Sequence, residues 1–244
     1  MSYIKISSRQ NEHIKFLASL KKPSVQVEHG IFLLEGEHLV TMAFEANILL
    51  EVLVIDEKEQ YENVKTYLVT KEIIEKLSSL SSIPKVIGVG KFPTFTLTNL
   101  KRIVYLDDVQ DPGNVGTLLR SALAFKFDAV IASPNSANFF SQKALMAAQG
   151  ASLKIPCLTY TNEELLAKFS QTHTLIATAI NKEALTLDEL NINPPFVLIL
   201  GSEGQGINEH LLTKANKKVY LPMHEVDSIN VAAAGAIFLY HLRG

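Results

Sequence analysis

Tryptophan is absent and cysteine occurs once, as Cys157, in a chain of 244 residues. A lone cysteine excludes an internal disulfide and fits a reducing compartment, so a cytoplasmic location is expected. Charge of one sign is also lacking: 23 Lys and Arg stand against 25 Asp and Glu, for a formal net charge of −2. A nucleic-acid partner held by overall charge leaves a strongly basic footprint, so any such partner here has to be met by a local patch. No apolar run approaches the roughly 18 residues of a membrane span. Met1-Ser2-Tyr3-Ile4-Lys5 leads into polar sequence without a secretory apolar region. His13, His29, His38, His173, His210, His224 and His241 are scattered, and none pairs at metal-ligand spacing, so no metal is expected.

The chain does have apolar residues enough for a packed core, at 47%, and length enough for one large domain or two modest ones. It also has one local charge imbalance. Residues 1–22 carry Lys5, Arg9, Lys15, Lys21 and Lys22 against Glu12 only. This is a basic face, which an ordinary solvated helix explains equally well.

Apolar periodicity alternates between strand and helix throughout. In the first part, Ile31–Leu34, Leu50–Ile55, Tyr67–Val69 and Val86–Val89 read as strands, with helices over 37–46 and 71–80. The pattern loosens over Lys91–Asn99, which reads as a linker, so the expected domains are 1–95 and 96–244. Beyond it, Ile103–Leu106, Ala129–Ala132, Thr174–Ala179, Val197–Leu200 and Val219–Leu221 are short continuous apolar runs. They are too uniform for half-exposed strands, so helices should cover both faces of a parallel sheet. Those helices are expected near 115–125, 142–149, 162–169, 208–214 and 228–242. The fold class is α/β: a smaller front domain followed by a parallel-sheet domain.

Three loops of the second domain could carry chemistry. The first, Asp111-Pro112-Gly113-Asn114-Val115-Gly116, follows a strand. Pro112 and Gly113 force a turn, Asn114 can cap the next helix, and Arg120 sits in that helix's second turn. The second, Gly201-Ser202-Glu203-Gly204-Gln205-Gly206, exposes backbone groups at a strand's carboxyl end, where open α/β sheets bind ligands. Its glycine order is not that of a dinucleotide-binding turn, and no Lys-Ser/Thr pair follows as in a P-loop. Glu203 would repel a phosphate, which favours a neutral or cationic ligand such as a sulfonium. The third loop runs from Leu221-Pro222-Met223 through His224-Glu225-Val226-Asp227 to Ser228-Ile229-Asn230-Val231. Ser228 is a candidate cap for a final helix that is apolar all round and rich in Ala and Gly, hence expected to be buried. Asn230, inside its first turn, is a buried-polar candidate needing partners. Each loop taken alone has a plain structural explanation as a capped helix or a turn.

Together, in this order, the loops resemble the signature motifs of the SpoU/TrmH class of RNA ribose 2′-O-methyltransferases, of the SPOUT superfamily. The first matches at Asn114, Gly116 and Arg120, the second at Gly201, Glu203 and Gly206, and the third at Leu221-Pro222-Met223 and Ser228-Ile229-Asn230-Val231. The front part resembles, more loosely, the substrate-binding domain often fused to these enzymes, through Gly30–Gly36 and Leu39-Val40. Departures are small: Leu221 stands where Ile is usual, Ile229 where Leu is usual, Ala232 where Ser is frequent, and His38 where the front domain usually has Arg.

The resemblance implies a trefoil-knotted parallel-sheet domain, a homodimer, and S-adenosylmethionine as cofactor without a metal. It implies an RNA substrate, with ribosomal RNA favoured over tRNA. It assigns Arg120, Asn114, Glu203, Ser228 and Asn230 to catalysis, with Asn114 and Glu203 orienting Arg120. Thr178, Leu200, Gly201, Gly206, Leu221, Met223 and Ile229 are the expected cofactor contacts, and Lys5, Arg9, Lys15, Lys21 and Lys22 the expected RNA contacts. No membrane partner is expected. Two other classes compete. A non-catalytic RNA-binding or ribosome-assembly factor is disfavoured by the intact set Asn114, Arg120, Glu203 and Asn230. A nucleotide-dependent oxidoreductase is disfavoured by the glycine order.

Overall fold

The structure is a computed structural model that describes residues 3–57, 61–179, 184–226 and 228–244. It divides into two compact units, residues 1–94 with Phe140–Leu145, and residues 95–139 with 146–244. No helix among the described residues is long and apolar enough to cross a membrane.

The first unit runs β1 (Ile4–Ile6), α1 (Glu12–Ser19), α2 (Pro23–His29), β2 (Ile31–Glu35), α3 (Glu37–Glu45), β3 (Leu49–Val54), β4 (Lys65–Val69), α4 (Lys71–Leu77) and β5 (Val86–Lys91). Its five strands lie in the order β1-β4-β3-β5-β2. β4 is parallel to β1 and β3, whereas β5 is antiparallel to β3 and β2. Helices α1 and α4 seal one face around Ile14, Leu17, Ile73, Ile74 and Leu77, all fully buried. Glu35, at the end of β2, is buried and accepts hydrogen bonds from the Ser78 hydroxyl at 2.5 Å and the Ser79 amide at 3.0 Å, which ties the loop after α4 to the sheet. Phe140 belongs to this unit through its ring, 4.8 Å from that of Phe32 and 4.7 Å from that of Phe92. No change of composition marks this return of the later chain.

The second unit runs β6 (Arg102–Asp107), α5 (Pro112–Ala124), β7 (Ala129–Ala132), the last part of α6 (Gln142–Ala148, whose first four residues fall in the first unit), β8 (Cys157–Thr159), α7 (Asn162–Phe169), β9 (Thr174–Thr178), β10 (Leu185–Thr186), β11 (Phe196–Gly201), α8 (Glu209–Lys214), β12 (Lys217–Tyr220) and α9 (Val231–His241). Its seven strands are ordered β10-β12-β9-β11-β6-β7-β8. Every neighbouring pair is parallel, as the continuous apolar runs require. Ile103, Tyr105, Val197 and Ile199 carry one face of the core against Leu165 of α7 and Leu211 of α8. Three short strands, β1, β8 and β10, have too few apolar residues to stand out in the sequence.

The final helix differs from expectation. Its inner face, Val231, Ala232, Gly235, Phe238 and Leu239, is buried, but Ala233, Ile237 and Tyr240 point outward and are exposed. Apolarity all round has therefore not produced burial all round in the single chain. Gly235 allows the close approach on the inner side. A Cβ there would lie 2.2 Å from Leu118 Cδ2 of α5 and 3.0 Å from Leu200 Cδ1 of β11.

Candidate active site

The three loops emerge at one edge of the parallel sheet, at the carboxyl ends of β6, β11 and β12. Parallel register places Gly201, at the end of β11, beside Asp107, at the end of β6. From there Ser202 and Gly206 close the glycine-rich loop on itself, with Gly206 N–H donating to Ser202 O at 2.9 Å and Ser202 N–H to Gly206 O at 3.2 Å. Only glycine fits at Gly201, because a Cβ would meet Gly206 C at 2.3 Å and Ile207 N at 2.4 Å. Gly206 turns the chain with φ +70°. The far end is held by Asn208 N–H, which donates to Asp107 Oδ2 at 2.6 Å. Asp107 is buried, and that burial raises its carboxyl above the ordinary range against the lowering effect of the Asn208 bond.

The loop presents Glu203 to the other two motifs. Glu203 Oε1 accepts from Asn230 Nδ2 at 2.6 Å, from Asn114 Nδ2 at 3.2 Å and from Val231 N–H at 3.2 Å. Asn230 Nδ2 also reaches Asn114 Oδ1 at 3.0 Å. One carboxylate oxygen thus joins residues from all three loops at the N-terminus of α9, where a negative charge is favoured by the helix dipole.

Both helix caps differ from the sequence reading. Asp111, not Asn114, caps α5: its side chain accepts from Asn114 N–H, with Pro112 opening the first turn. Asn230, not Ser228, caps α9, its Oδ1 accepting from Ala232 N–H at 3.0 Å and Ala233 N–H at 3.2 Å. Asn230 is also exposed rather than buried, though every polar atom of its side chain has a partner. The physical reason is shared: each expected cap has a better-placed Asx side chain nearby, and a cap is chosen by backbone geometry, not by residue type alone.

Beside this junction lies a pocket with about 630 Å³ of empty space, part of it open to solvent. Thr178, Leu200, Gly201, Gly206, Leu221, Met223 and Ile229 all line it, together with Glu203 and Ser228. Thr178 is fixed by its hydroxyl, which donates to Ile199 O at 3.1 Å. Ala234 and Phe238 of α9 add to the wall, and the sequence reading did not name them. Their spacing of four from Asn230 would have placed them on its face of the helix. Among the described residues, the lining contains one carboxylate and no lysine or arginine. A wall of apolar groups and backbone with a single anion fits a cationic sulfonium carrying a nucleoside and repels a phosphate. Asp227, in the third loop, is outside the described residues.

Arg120 stands outside the pocket, as its position on the helix after the first loop implies. It is exposed on α5, does not line the pocket, and makes no side-chain hydrogen bond or ion pair among the described residues. Asn114 and Glu203 hold Asn230 instead of orienting it. The five basic residues of segment 1–22 are all exposed, and three of them are engaged within the chain. Lys5 lies 3.5 Å from Glu57, Lys15 pairs with Glu12 at 2.9 Å, and Lys21 Nζ donates to the carbonyls of Lys76 and Ser78. Arg9 and Lys22 make no side-chain hydrogen bond or ion pair among the described residues. Desolvation pushes the Cys157 thiol well above its ordinary range, which disfavours the nucleophilic thiolate.

An all-parallel sheet with a glycine-rich loop and a pocket at the strands' carboxyl ends places the chain in the class of open α/β folds that bind ligands there. Within that class, the chain belongs to the SpoU rRNA methylase family, which it matches over residues 101–240; residues 11–88 match the MRM3-like substrate binding domain. Over 98% of this chain and 99% of the relative, it is 30% identical to the 23S rRNA (guanosine(2553)-2′-O)-methyltransferase RlmP of Bacillus subtilis (strain 168). A solved RNA 2′-O ribose methyltransferase superposes with a TM-score of 0.81, at 28% identity, covering 98% of each chain. An AdoMet-bound rRNA methyltransferase from Sinorhizobium meliloti shares the fold, with a TM-score of 0.86 at 22% identity over 98% of this chain and 96% of that one.

Proposed function

We propose that this chain binds S-adenosylmethionine in the pocket beside Glu203 and methylates the 2′-hydroxyl of a ribose in ribosomal RNA. The observation that carries this reading is the junction at Glu203 Oε1, where the three family motifs meet at the pocket's rim. Bound there, the cofactor would supply an electrophilic methyl group on a sulfonium.

The chain's own residues supply position and charge. Backbone groups near Leu200, Gly201, Leu221 and Met223 hold the neutral part of the cofactor, and Glu203 favours its positive charge over an anionic ligand. Asn230 and Ser228 order the rim where a ribose would enter. Arg120 is effectively always protonated, so it serves as a planar fork for an RNA phosphate and polarises the hydroxyl, whose proton passes to a phosphate oxygen of the RNA or to water. Holding hydroxyl and methyl roughly 3–3.5 Å apart is then the main source of acceleration. No metal takes part in this scheme.

The homodimer also belongs to this proposal. Val226, Ile229, Ile237 and Tyr240 are large, apolar and exposed, and they follow one another along the third loop and the outer face of α9. A helix apolar on both faces calls for a second covering surface, and a second copy of the chain supplies it. The front unit, with Arg9 and Lys22, gives the RNA its first foothold.

Calorimetric titration with S-adenosylmethionine and with NAD tests the cofactor reading. Binding of the first alone supports it; binding of NAD alone returns the oxidoreductase reading.

A further inference from the structure

The second unit carries another concavity, at the sheet edge opposite the pocket. It opens where β6, β9 and β11 begin, alongside α7, and contains about 1670 Å³ of empty space open to solvent. Lys101, Arg102 and Lys168 line it, and no Asp or Glu does. Asp128 accepts from the backbone amides of Lys101 and Arg102, each at 2.7 Å, so its carboxylate organises the backbone beneath the lysine. Arg102 Nε is buried and has no hydrogen-bond partner. The guanidinium of Arg102 lies against Gly244, so Lys101 and Lys168, both exposed, are the cations the groove presents.

Two aromatic rings also border the groove, each half-buried against the core of the sheet. These are Tyr160 and Phe169, with Lys168 Nζ 5.0 Å from the Tyr160 ring centroid. The Phe169 ring stands 5.0 Å from His173, edge to face. His173 is fixed in place, Nδ1 2.9 Å from the Thr172 hydroxyl and Nε2 2.8 Å from Leu100 O. Cations that follow a backbone, interleaved with rings on which bases stack, are the pattern of a single-stranded nucleic-acid track.

We propose that this groove is a second RNA contact, in which Lys101 and Lys168 bind phosphates of a single-stranded part of the substrate and Tyr160 and Phe169 offer stacking surface to its bases. The inference rests on the reading that the chain methylates RNA. β6 alone separates the two sheet edges by about 20 Å, at roughly 3.3 Å per residue. The groove therefore meets RNA well away from the methylated ribose, and it adds affinity without touching the chemistry.

The test uses the full chain with Lys101→Gln and Lys168→Gln combined, and a matched variant with Lys101→Arg and Lys168→Arg. RNA affinity is measured across salt concentrations on a long ribosomal RNA fragment, alongside S-adenosylmethionine affinity and the methylation rate at saturating RNA. The Gln variant is expected to bind RNA about tenfold more weakly. Its salt slope should fall by about 1.4, from roughly 0.7 per phosphate contact on a single strand. The Arg variant should keep the wild-type slope. Cofactor affinity and the saturated rate should match wild type, which also certifies the fold. An unchanged RNA affinity and slope in the Gln variant, with wild-type protein methylating RNA, overturns the groove alone. A wild-type protein that methylates no RNA overturns the parent reading instead.

Discussion

Glu203 Oε1 sits 2.6 Å from Asn230 Nδ2, a bond between the glycine-rich loop and the residue that caps the last helix. The same Asn230 side chain therefore finishes α9 on one side and fastens the pocket's rim on the other. Asn230→Ala removes both functions. Loss of the cap costs about 1 kcal/mol, and loss of the fastening should weaken S-adenosylmethionine binding and methyl transfer together. A thermal melt and a cofactor titration on the variant check this; a lower melting temperature with wild-type cofactor affinity would show that the bond serves only the helix.

Arg120→Ala should leave the melting temperature and cofactor affinity close to wild type, because the side chain is exposed and unbonded among the described residues. Methyl transfer should be largely lost. Arg120→Lys should fail as well, since an ammonium lacks the bidentate fork. A fully active lysine variant would mean that a point charge suffices.

The close approach at Gly235 predicts a different kind of failure. Gly235→Leu forces side-chain atoms into Leu118 and Leu200, both buried. Overpacking of this sort costs typically 1–3 kcal/mol, and it should appear in the melt before any effect on chemistry is considered. An unchanged melting temperature would mean that α9 does not pack against α5 and β11 as described.

Asp107 gives a pH signature. Its carboxyl is raised in the folded protein by burial, so the folded state holds that proton more tightly than the unfolded chain does. The contribution to stability is present at acid pH, below the unfolded carboxylate value, and is lost as pH rises through the folded one. Asp107→Asn does not titrate and keeps an acceptor for Asn208 N–H. The stability of the variant relative to wild type should therefore be higher at pH 7 than at pH 4. Paired melts at the two values measure it, and a difference of the opposite sign would show that Asp107 is held ionised by its hydrogen bonds.

The parallel sheet was legible in the sequence because strands covered on both faces leave unbroken apolar runs, as at Val197–Leu200 and Ala129–Ala132. The pocket was legible because strand ends followed by glycine can be read as loops, and all seven expected cofactor contacts line one cavity. What escaped depends on contacts between distant residues. Asp111 and Asn230 displaced the expected caps through local backbone geometry, which residue type does not encode. Phe140 joins the first unit through Phe32 and Phe92, more than forty residues away in each case, with no local signal. The exposed face of α9 reads as buried in the sequence because apolarity on every side of a helix does not say which side the chain itself covers.

The central claim is tested most directly by mapping ribose methylation in ribosomal RNA from cells with the gene, without it, and with Arg120→Ala in its place. A single 2′-O-methylated nucleotide should be present in the first and missing from the other two, and purified protein with S-adenosylmethionine should restore it to unmodified RNA. An identical methylation map in all three, or a methyl group found on a base instead of a ribose, would contradict the account.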